Sequence, residues 1–129
     1  PESVLEPINK DEAISAIPHE AYIFEGHDTT YTGKELKGLK FFPGWEFAAD
    51  HPLVKGALAG LEKAGLEPKV GSYQFCTNGA YSAGWKNIPT IGFGPGDERL
   101  VHIADECLPV EDLLKAKLYF KAIAEEMLR

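Results

Sequence analysis

An α/β fold is what the sequence predicts, and three observations predict it. Over residues 50 to 129, stretches with apolar residues at helical spacing alternate with short runs of β-forming residues. The order is helix, strand, short helix, strand, loop, helix, the alternation that lays helices over a sheet. Turn-forming groups, Asn78-Gly79 and Gly94-Pro95-Gly96, fall between those stretches. With 129 residues, 44% hydrophobic and 26% charged, the chain has ordinary globular composition and enough length for one modest core.

The elements follow in order. Residues 1 to 17 carry Pro1 and Pro7 around a short amphipathic piece, Asp11-Glu12-Ala13-Ile14-Ser15-Ala16-Ile17, which reads as the last turns of a helix stopped by Pro18. Ala21-Tyr22-Ile23-Phe24-Glu25 is rich in β-formers, and Gly26 and Gly33 punctuate an edge strand that continues towards Tyr31. Residues 34 to 45, with Gly38, Pro43 and Gly44 among Leu39, Phe41, Phe42 and Trp45, read as an extended linker. Asp50 is a suitable N-cap, Pro52 suits a first helical turn, and Leu53, Val54, Ala57, Leu58 and Leu61 repeat at helical spacing until Gly65. Residues 70 to 76 read as a strand that breaks at Asn78-Gly79, residues 80 to 85 as a short helix, and residues 89 to 93 as a buried strand with Pro89 near its start. Pro109 opens a final helix near residues 110 to 127, with Glu111 and Asp112 in its first turn, where negative charge suits the helix dipole.

Composition excludes several function classes. A net charge of -7 and no basic run argue against nucleic acid, whose phosphates are neutralised by clustered Lys and Arg. Two cysteines, Cys76 and Cys107, are too few for a disulfide framework and fit a reducing compartment, so a cytoplasmic location is expected. Apolar runs fall far short of the roughly 18 to 20 residues of a membrane span, and no signal-peptide pattern is present. The chain starts Pro1-Glu2, which fits a truncated or processed product and equally a chain that has lost its initiator Met.

Four histidines are available for chemistry: His19, His27, His51 and His102. His19 follows Pro18 in a turn and His51 precedes Pro52 at a helix start, so both have plain surface roles. His27 sits among Gly26, Asp28 and two threonines at a strand end, where exposure is again the simpler reading. His102 differs, because it follows the Gly94-Pro95-Gly96-Asp97-Glu98 loop after a buried strand, and ligands of open α/β sheets bind at such strand ends. Asp97, Glu98, Asp105 and Glu106 crowd the same stretch, and carboxylates beside a histidine serve as metal ligands or as partners that fix the imidazole. The alternative is a solvated acidic loop. A zinc site needs about three or four ligands, and no HxxxH, HxH or CxxC pairing occurs. Thr77-Asn78-Gly79 is a turn by composition, yet hydroxyl, amide and bare backbone N–H together also form a cradle for a carboxylate or developing oxyanion. Neither GxSxG nor a phosphate loop ending in GK[ST] is present.

Three motifs in order, Phe75-Cys76-Thr77-Asn78-Gly79, then Asn87-Ile88-Pro89-Thr90-Ile91-Gly92-Phe93-Gly94-Pro95-Gly96-Asp97-Glu98, then Val101-His102-Ile103-Ala104-Asp105-Glu106, carry a family resemblance. The run resembles the C-terminal signature of the dizinc metallopeptidase and deacylase family: aminoacylases, acetylornithine deacetylase, succinyl-diaminopimelate desuccinylase and glutamate carboxypeptidase. There a strand ends in a T-x-G or S-D turn, a "GIPTVGFGPG" strand and loop follow, and an "AHxxNE" segment supplies a zinc histidine. Tyr31-Thr32-Gly33, Phe42-Pro43-Gly44-Trp45 and Asp50-His51-Pro52 look most like the selenium-metabolism hydrolase branch. The resemblance runs from about residue 11 to residue 129. The chain departs from it at Ala104-Asp105, where Pro-Asn is frequent, and at Asn78, where many members have Ser-Asp followed by Arg.

The resemblance implies the C-terminal part of a zinc-exopeptidase-like mixed sheet covered by helices, preceded by the tail of a ferredoxin-like lid. Residues 1–45 would be the remnant of the lid and dimerisation domain with its return linker, and residues 46–129 the C-terminal part of the catalytic domain. His102 would be the last zinc ligand, with Thr77, Asn78 and Gly79 lining the substrate pocket. The HxD motif, bridging Asp, general-base Glu and remaining ligands of the family lie N-terminal to such a piece, so no catalytic residue is assigned within this chain. The implied parent enzyme is a zinc amidohydrolase or exopeptidase that cleaves the C–N amide bonds of N-acyl amino acids or small peptides and forms a homodimer through its lid, with this chain inactive alone. A histidine and carboxylate set suits zinc and also cobalt or manganese. The alternative, from another class, is an independent non-catalytic binding or interaction domain derived from that fold. The sheet edge left open at residues 22 to 31 favours the fragment, since an evolved module is expected to cover its edges.

Overall fold

The computed structural model describes residues 1–129 and divides them into two units, Pro1–Phe42 and Pro43–Arg129. Helices predominate, with one small two-stranded sheet, a mixed α/β composition. No helix is long and apolar enough to cross a membrane.

The first unit contains α1 (Glu2–Lys10), α2 (Glu12–Ser15), β1 (Glu25–Thr29) and β2 (Glu35–Leu39). Only α2 falls in the stretch expected to be helical. Asp11 starts it, its extended backbone interrupting the helical run while its carboxylate accepts from the N–H groups of Ala13 and Ile14, both at 3.0 Å. Helix α1 forms upstream despite Pro7, with an exposed Lys10–Glu6 pair at 2.5 Å along its side and no buried residue. β1 and β2 pair antiparallel, Glu25 opposite Leu39 and Thr29 opposite Glu35. The second strand lies where an extended linker was expected, and its composition, Glu-Leu-Lys-Gly-Leu, explains why propensity did not reveal it. The connecting turn sets the register instead: Thr30 N–H donates to Lys34 C=O at 2.9 Å, Gly33 N–H donates to Thr30 C=O at 2.8 Å, and Gly33 adopts φ 83°.

In the second unit, α3 (Pro52–Lys63) and α4 (Val110–Met127) pack together. Both match the sequence expectation, with one change at the start of α3. The cap is His51, whose Nδ1 accepts from Leu53 N–H at 3.2 Å, in place of Asp50. The two helices approach so closely at Gly60 that a Cβ there would stand 2.8 Å from the Ala122 carbonyl oxygen and 2.9 Å from the Ile123 Cα. Ala57, Leu61 and Ala116 are buried in these helices. Lys63 bridges to Glu126 at 2.5 Å across the pair, and Glu126 also meets Arg129 at 3.3 Å. A short π-type helix, Ala80–Trp85, buries Ala80 and Ala83.

The mixed sheet expected in this unit is absent. Residues 70–76 and 89–93 have no regular secondary structure, and the sheet of this chain is the β1–β2 hairpin alone. Both stretches nevertheless half-bury every second residue, in a pattern that runs on past their ends: Tyr73, Phe75 and Thr77 in one, then Ile91, Phe93, Pro95 and Asp97 in the other. That period of two is the signal from which strands were expected. Alternation fixes which side chains face inward, but a strand also needs a neighbour at hydrogen-bonding distance. Here side chains join the segments in its place. Trp45 donates its indole N–H to the Thr90 carbonyl at 2.8 Å and meets Tyr73 edge-on with centroids 6.1 Å apart. Tyr73 lies so close to Gly92 that a Cβ would stand 2.5 Å from its ring.

Candidate functional site

His102 stands in the loop between the Gly94-Pro95-Gly96 stretch and α4, and the loop is built by carboxylates. Asp97 opens a 3-10 turn, Glu98–Leu100, by accepting from Arg99 N–H at 3.0 Å. Its carboxylate also takes the Arg99 guanidinium, with Nε at 2.9 and 3.0 Å and Nη2 in contact with Oδ2. Hydrogen bonding from the Arg99 side chain and then its backbone N–H holds the Asp97 carboxyl down at about 2, while the Arg99 guanidinium is pushed up by the same pairing. Glu98 reaches back to the preceding segment, its Oε1 accepting from Gln74 N–H at 3.2 Å. The loop is thereby fastened beside Tyr73 and Phe75.

Beyond that turn the backbone becomes left-handed twice, at His102 with φ 62° and at Asp105 with φ 63°. For a residue with a Cβ that conformation costs about 1–2 kcal/mol. It is held here by Glu106, whose Oε2 accepts from His102 N–H at 3.0 Å. The imidazole is exposed, meets the Phe75 ring edge-on with centroids 5.5 Å apart at 80°, and makes no hydrogen bond through its ring nitrogens. Phe75 is stacked on Tyr73 with centroids 4.4 Å apart.

The Thr77-Asn78-Gly79 turn lies two residues beyond Phe75. Thr77 is half-buried, its Oγ1 accepting from Gly79 N–H at 3.1 Å and lying 3.4 Å from the Tyr73 hydroxyl. Asn78 is exposed, and its carbonyl accepts from Tyr81 N–H at 3.0 Å and Ser82 N–H at 3.1 Å, which starts the Ala80–Trp85 helix. Gly79 is buried under Trp45, where a Cβ would stand 2.3 Å from the indole. Its N–H is thus engaged with the Thr77 hydroxyl. What the turn presents outward is the Asn78 side chain.

The other histidines are occupied locally. His19 Nδ1 lies 3.1 Å from the Ile17 carbonyl, His27 Nε2 is 3.8 Å from Glu25, and His51 caps α3 and packs on Phe47. No three His, Cys, Asp or Glu side chains converge on a common point. Of the groups around His102, sequence reasoning named Glu106 only as one of several nearby acids and Phe75 only as a strand residue. The spacing of Tyr73, Phe75 and Thr77 at i, i+2 and i+4, which sets all three on one side, was the available signal for the second.

Relatives match part of this chain. YgeY of Escherichia coli, a protein of uncharacterized function, is 37% identical over 78 residues, 60% of this chain and 19% of its own length. A Pyrococcus furiosus protein with the provisional name LysW-lysine/LysW-ornithine hydrolase is 28% identical over 83 residues, 64% of this chain and 26% of its own. Its namesake from Pyrococcus horikoshii is 25% identical over 89 residues, 69% and 27% of the two chains. The matches therefore span about a fifth to a quarter of these relatives. No protein-family model and no solved structure matches the chain. The chain is thus similar, at a distance and in part, to proteins named as hydrolases.

Proposed function

We propose that this chain is the C-terminal part of a zinc-dependent hydrolase that cleaves amide bonds of N-acyl amino acids or small peptides by metal-activated water, and that it is inactive alone. The observation that carries the reading is the exposed His102 imidazole, both ring nitrogens unengaged, held outward on a strained turn. Two of the similar proteins are named for hydrolysis of LysW-lysine and LysW-ornithine, which agrees with a substrate joined through an amino acid. The finer fold assignment belongs to the same proposal: residues 46–129 as the C-terminal part of a zinc-exopeptidase-like catalytic domain, and residues 1–45 as the tail of a ferredoxin-like lid through which the whole enzyme dimerises.

The donor set fits one ligand of a metal site and no more. His102 is a nitrogen donor free to coordinate, and no group of three or more His, Cys, Asp or Glu side chains that could hold a metal forms in this chain, so further ligands would come from elsewhere in the enzyme. When bound, zinc would lower the pKa of a water and polarise the scissile carbonyl, and cobalt or manganese could do the same. The chain's own groups would position. Asn78 would offer its amide to a substrate carboxylate or carbonyl, Thr77 and Gly79 would hold that turn in shape, and the Trp45 ring would close the space beneath it.

The test is direct. The purified 129-residue chain, given zinc and N-acetyl amino acids or dipeptides, is expected to release no product, because the general base and remaining ligands are missing. In a longer protein carrying this chain as its C-terminal part, His102→Ala is expected to remove one bound zinc and most activity while leaving the fold intact. Turnover by the isolated chain, or unchanged zinc stoichiometry in the substituted enzyme, would overturn the proposal.

A further inference from the structure

The segment that follows Thr90 has no partner for its backbone. Ile91, Phe93, Pro95 and Asp97 are half-buried at alternate positions, and Gly92, Gly94 and Gly96 are the exposed residues between them. That is the period of an extended strand, yet no backbone N–H or C=O group of residues 91–96 takes part in a hydrogen bond within the chain. The outer side is bare as well as unpaired, since a Cβ added at Gly94 would meet nothing within 4 Å. An extended run with free main-chain groups and no side chains over it is a template for the addition of a strand.

A second feature lies directly against it. A hollow of about 360 Å³ opens between Phe93, Pro95 and the bare backbone of Gly94 and Gly96 on one side and Ala116 and Tyr119 of α4 on the other. Phe93 is fixed there, edge-on to Tyr119 at 6.2 Å and to Phe120 at 5.3 Å. Beside the hollow, Lys115 lies 3.7 Å from Glu111 and 3.6 Å from Asp112. Two carboxylates thus share one ammonium, which leaves one negative charge uncompensated.

We propose that residues 91–94 and this hollow together form a docking site for an extended segment of another polypeptide, which adds as a strand along the backbone and places a large apolar side chain, with a basic residue near it, against α4. Main-chain hydrogen bonds supply the attachment and the hollow supplies the selectivity, the usual division of labour in strand addition. Pro95 has no N–H, so the ladder ends at Gly94 with the hollow beside that end. The uncompensated carboxylate favours a basic neighbour for the apolar group. Neither His102 nor a metal takes part, so the site stands or falls independently of the hydrolase reading.

The experiment is nuclear magnetic resonance of the isotopically labelled 129-residue chain, titrated with the capped heptapeptide acetyl-lysyl-threonyl-valyl-phenylalanyl-valyl-threonyl-lysine amide. The amide resonances of Ile91, Gly92, Phe93 and Gly94 are expected to move together with the Tyr119 ring signals, and deuterium exchange at those amides to slow. All comparisons are made by changing the peptide, so the fold of the chain is untouched. Alanine in place of the peptide's phenylalanine is expected to weaken binding about 10- to 100-fold. A strand pairs through one edge, so N-methylation of both valines and N-methylation of the phenylalanine with both threonines are expected to differ, one weakening binding about tenfold or more and the other less than about twofold. Glutamate in place of the two lysines is expected to bind more weakly, by a margin that closes at high salt. Equal effects of the two methylations, or unmoved resonances at residues 91–94, would overturn the site. N-acetylphenylalanine amide binding as tightly as the heptapeptide would make the hollow a small-molecule pocket instead, and shifts at these amides that follow chain concentration without peptide would make a second copy the occupant; either result also overturns the proposal.

Discussion

Asp97 shows how one side chain holds the loop that carries His102. It caps the Glu98–Leu100 turn and clasps Arg99 at the same time, and these hydrogen bonds hold its carboxyl at about 2 against an ordinary value of 3.8. A carboxyl whose pKa is depressed in the folded chain contributes order that is complete above its unfolded value and disappears as pH falls through the folded one. The turn is therefore expected to keep its form down to about pH 4 and to open between about pH 4 and 2. The pair is exposed, so salt should weaken it and global stability should change little. A carbon-detected titration of the Asp97 carboxyl checks this, and Arg99→Met is expected to return the midpoint towards the ordinary range. An Asp97 midpoint that does not move in Arg99→Met would mean that the clasp is not its cause. The acidic character of this stretch was legible in the sequence, since Asp97, Glu98, Asp105 and Glu106 stand out there. Their division of labour was not. Asp97 takes Arg99, Glu98 takes a backbone N–H from a distant segment, and Glu106 takes one four residues back, assignments that depend on chain direction in three dimensions.

At the scale of elements, α3 and α4 were legible because each combines start signals with a long apolar repeat, and helical hydrogen bonds need no partner outside the segment. Segments 70–76 and 89–93 were legible only as far as their alternation. Whether such a segment becomes a strand depends on a neighbour that its own residues do not encode, and β2 shows the converse, a poor strand sequence paired because its turn places it. The close seam between the helices was also hidden, since Gly56-Ala57-Leu58-Ala59-Gly60 reads simply as small residues in a helix. It makes a sharp prediction. Gly60→Ala would set a methyl group against the Ala122 carbonyl and Ile123 Cα, backbone atoms that cannot give way alone. Gly56→Ala would meet only the Met127 sulfur, at 2.4 Å, on the end of a flexible side chain. Overpacking costs about 1–3 kcal/mol, whereas replacing a helical glycine gains about 1 kcal/mol of propensity. Gly60→Ala is therefore expected to destabilise the chain by up to about 2 kcal/mol after both effects, and Gly56→Ala to be neutral or slightly stabilising. Urea midpoints of the two variants measured side by side decide it, and equal midpoints would show that the seam can separate at no cost.

For the whole molecule, the small set of buried side chains sets the terms. Its buried hydrophobic residues are Ala57, Leu61, Ala80, Ala83 and Ala116, four of them alanine, and no large side chain is fully buried. Large apolar groups lie open on α4, where Val110, Leu114 and Leu118 follow one another at i, i+4 and i+8 with exposures of 72%, 62% and 61%. Each large apolar side chain left in water forgoes about 1.5–3 kcal/mol of burial, so the hydrophobic contribution to stability is small compared with that of an ordinary domain of this length. This supports the proposal that the chain belongs to a larger protein. It also predicts solution behaviour that can be measured before any partner is known. The isolated chain is expected to bind the dye ANS in native buffer, a sign of accessible apolar surface. It is also expected to unfold in urea with a slope below what its length would give, since that slope scales with the area newly exposed and much is exposed at the start. Leu114→Glu and Leu118→Glu together should lower the dye signal without lowering the urea midpoint, because neither side chain is buried. A steep urea transition with no dye binding would show that the chain closes over its apolar surface by itself, and the case for a larger parent protein would then lose its energetic support.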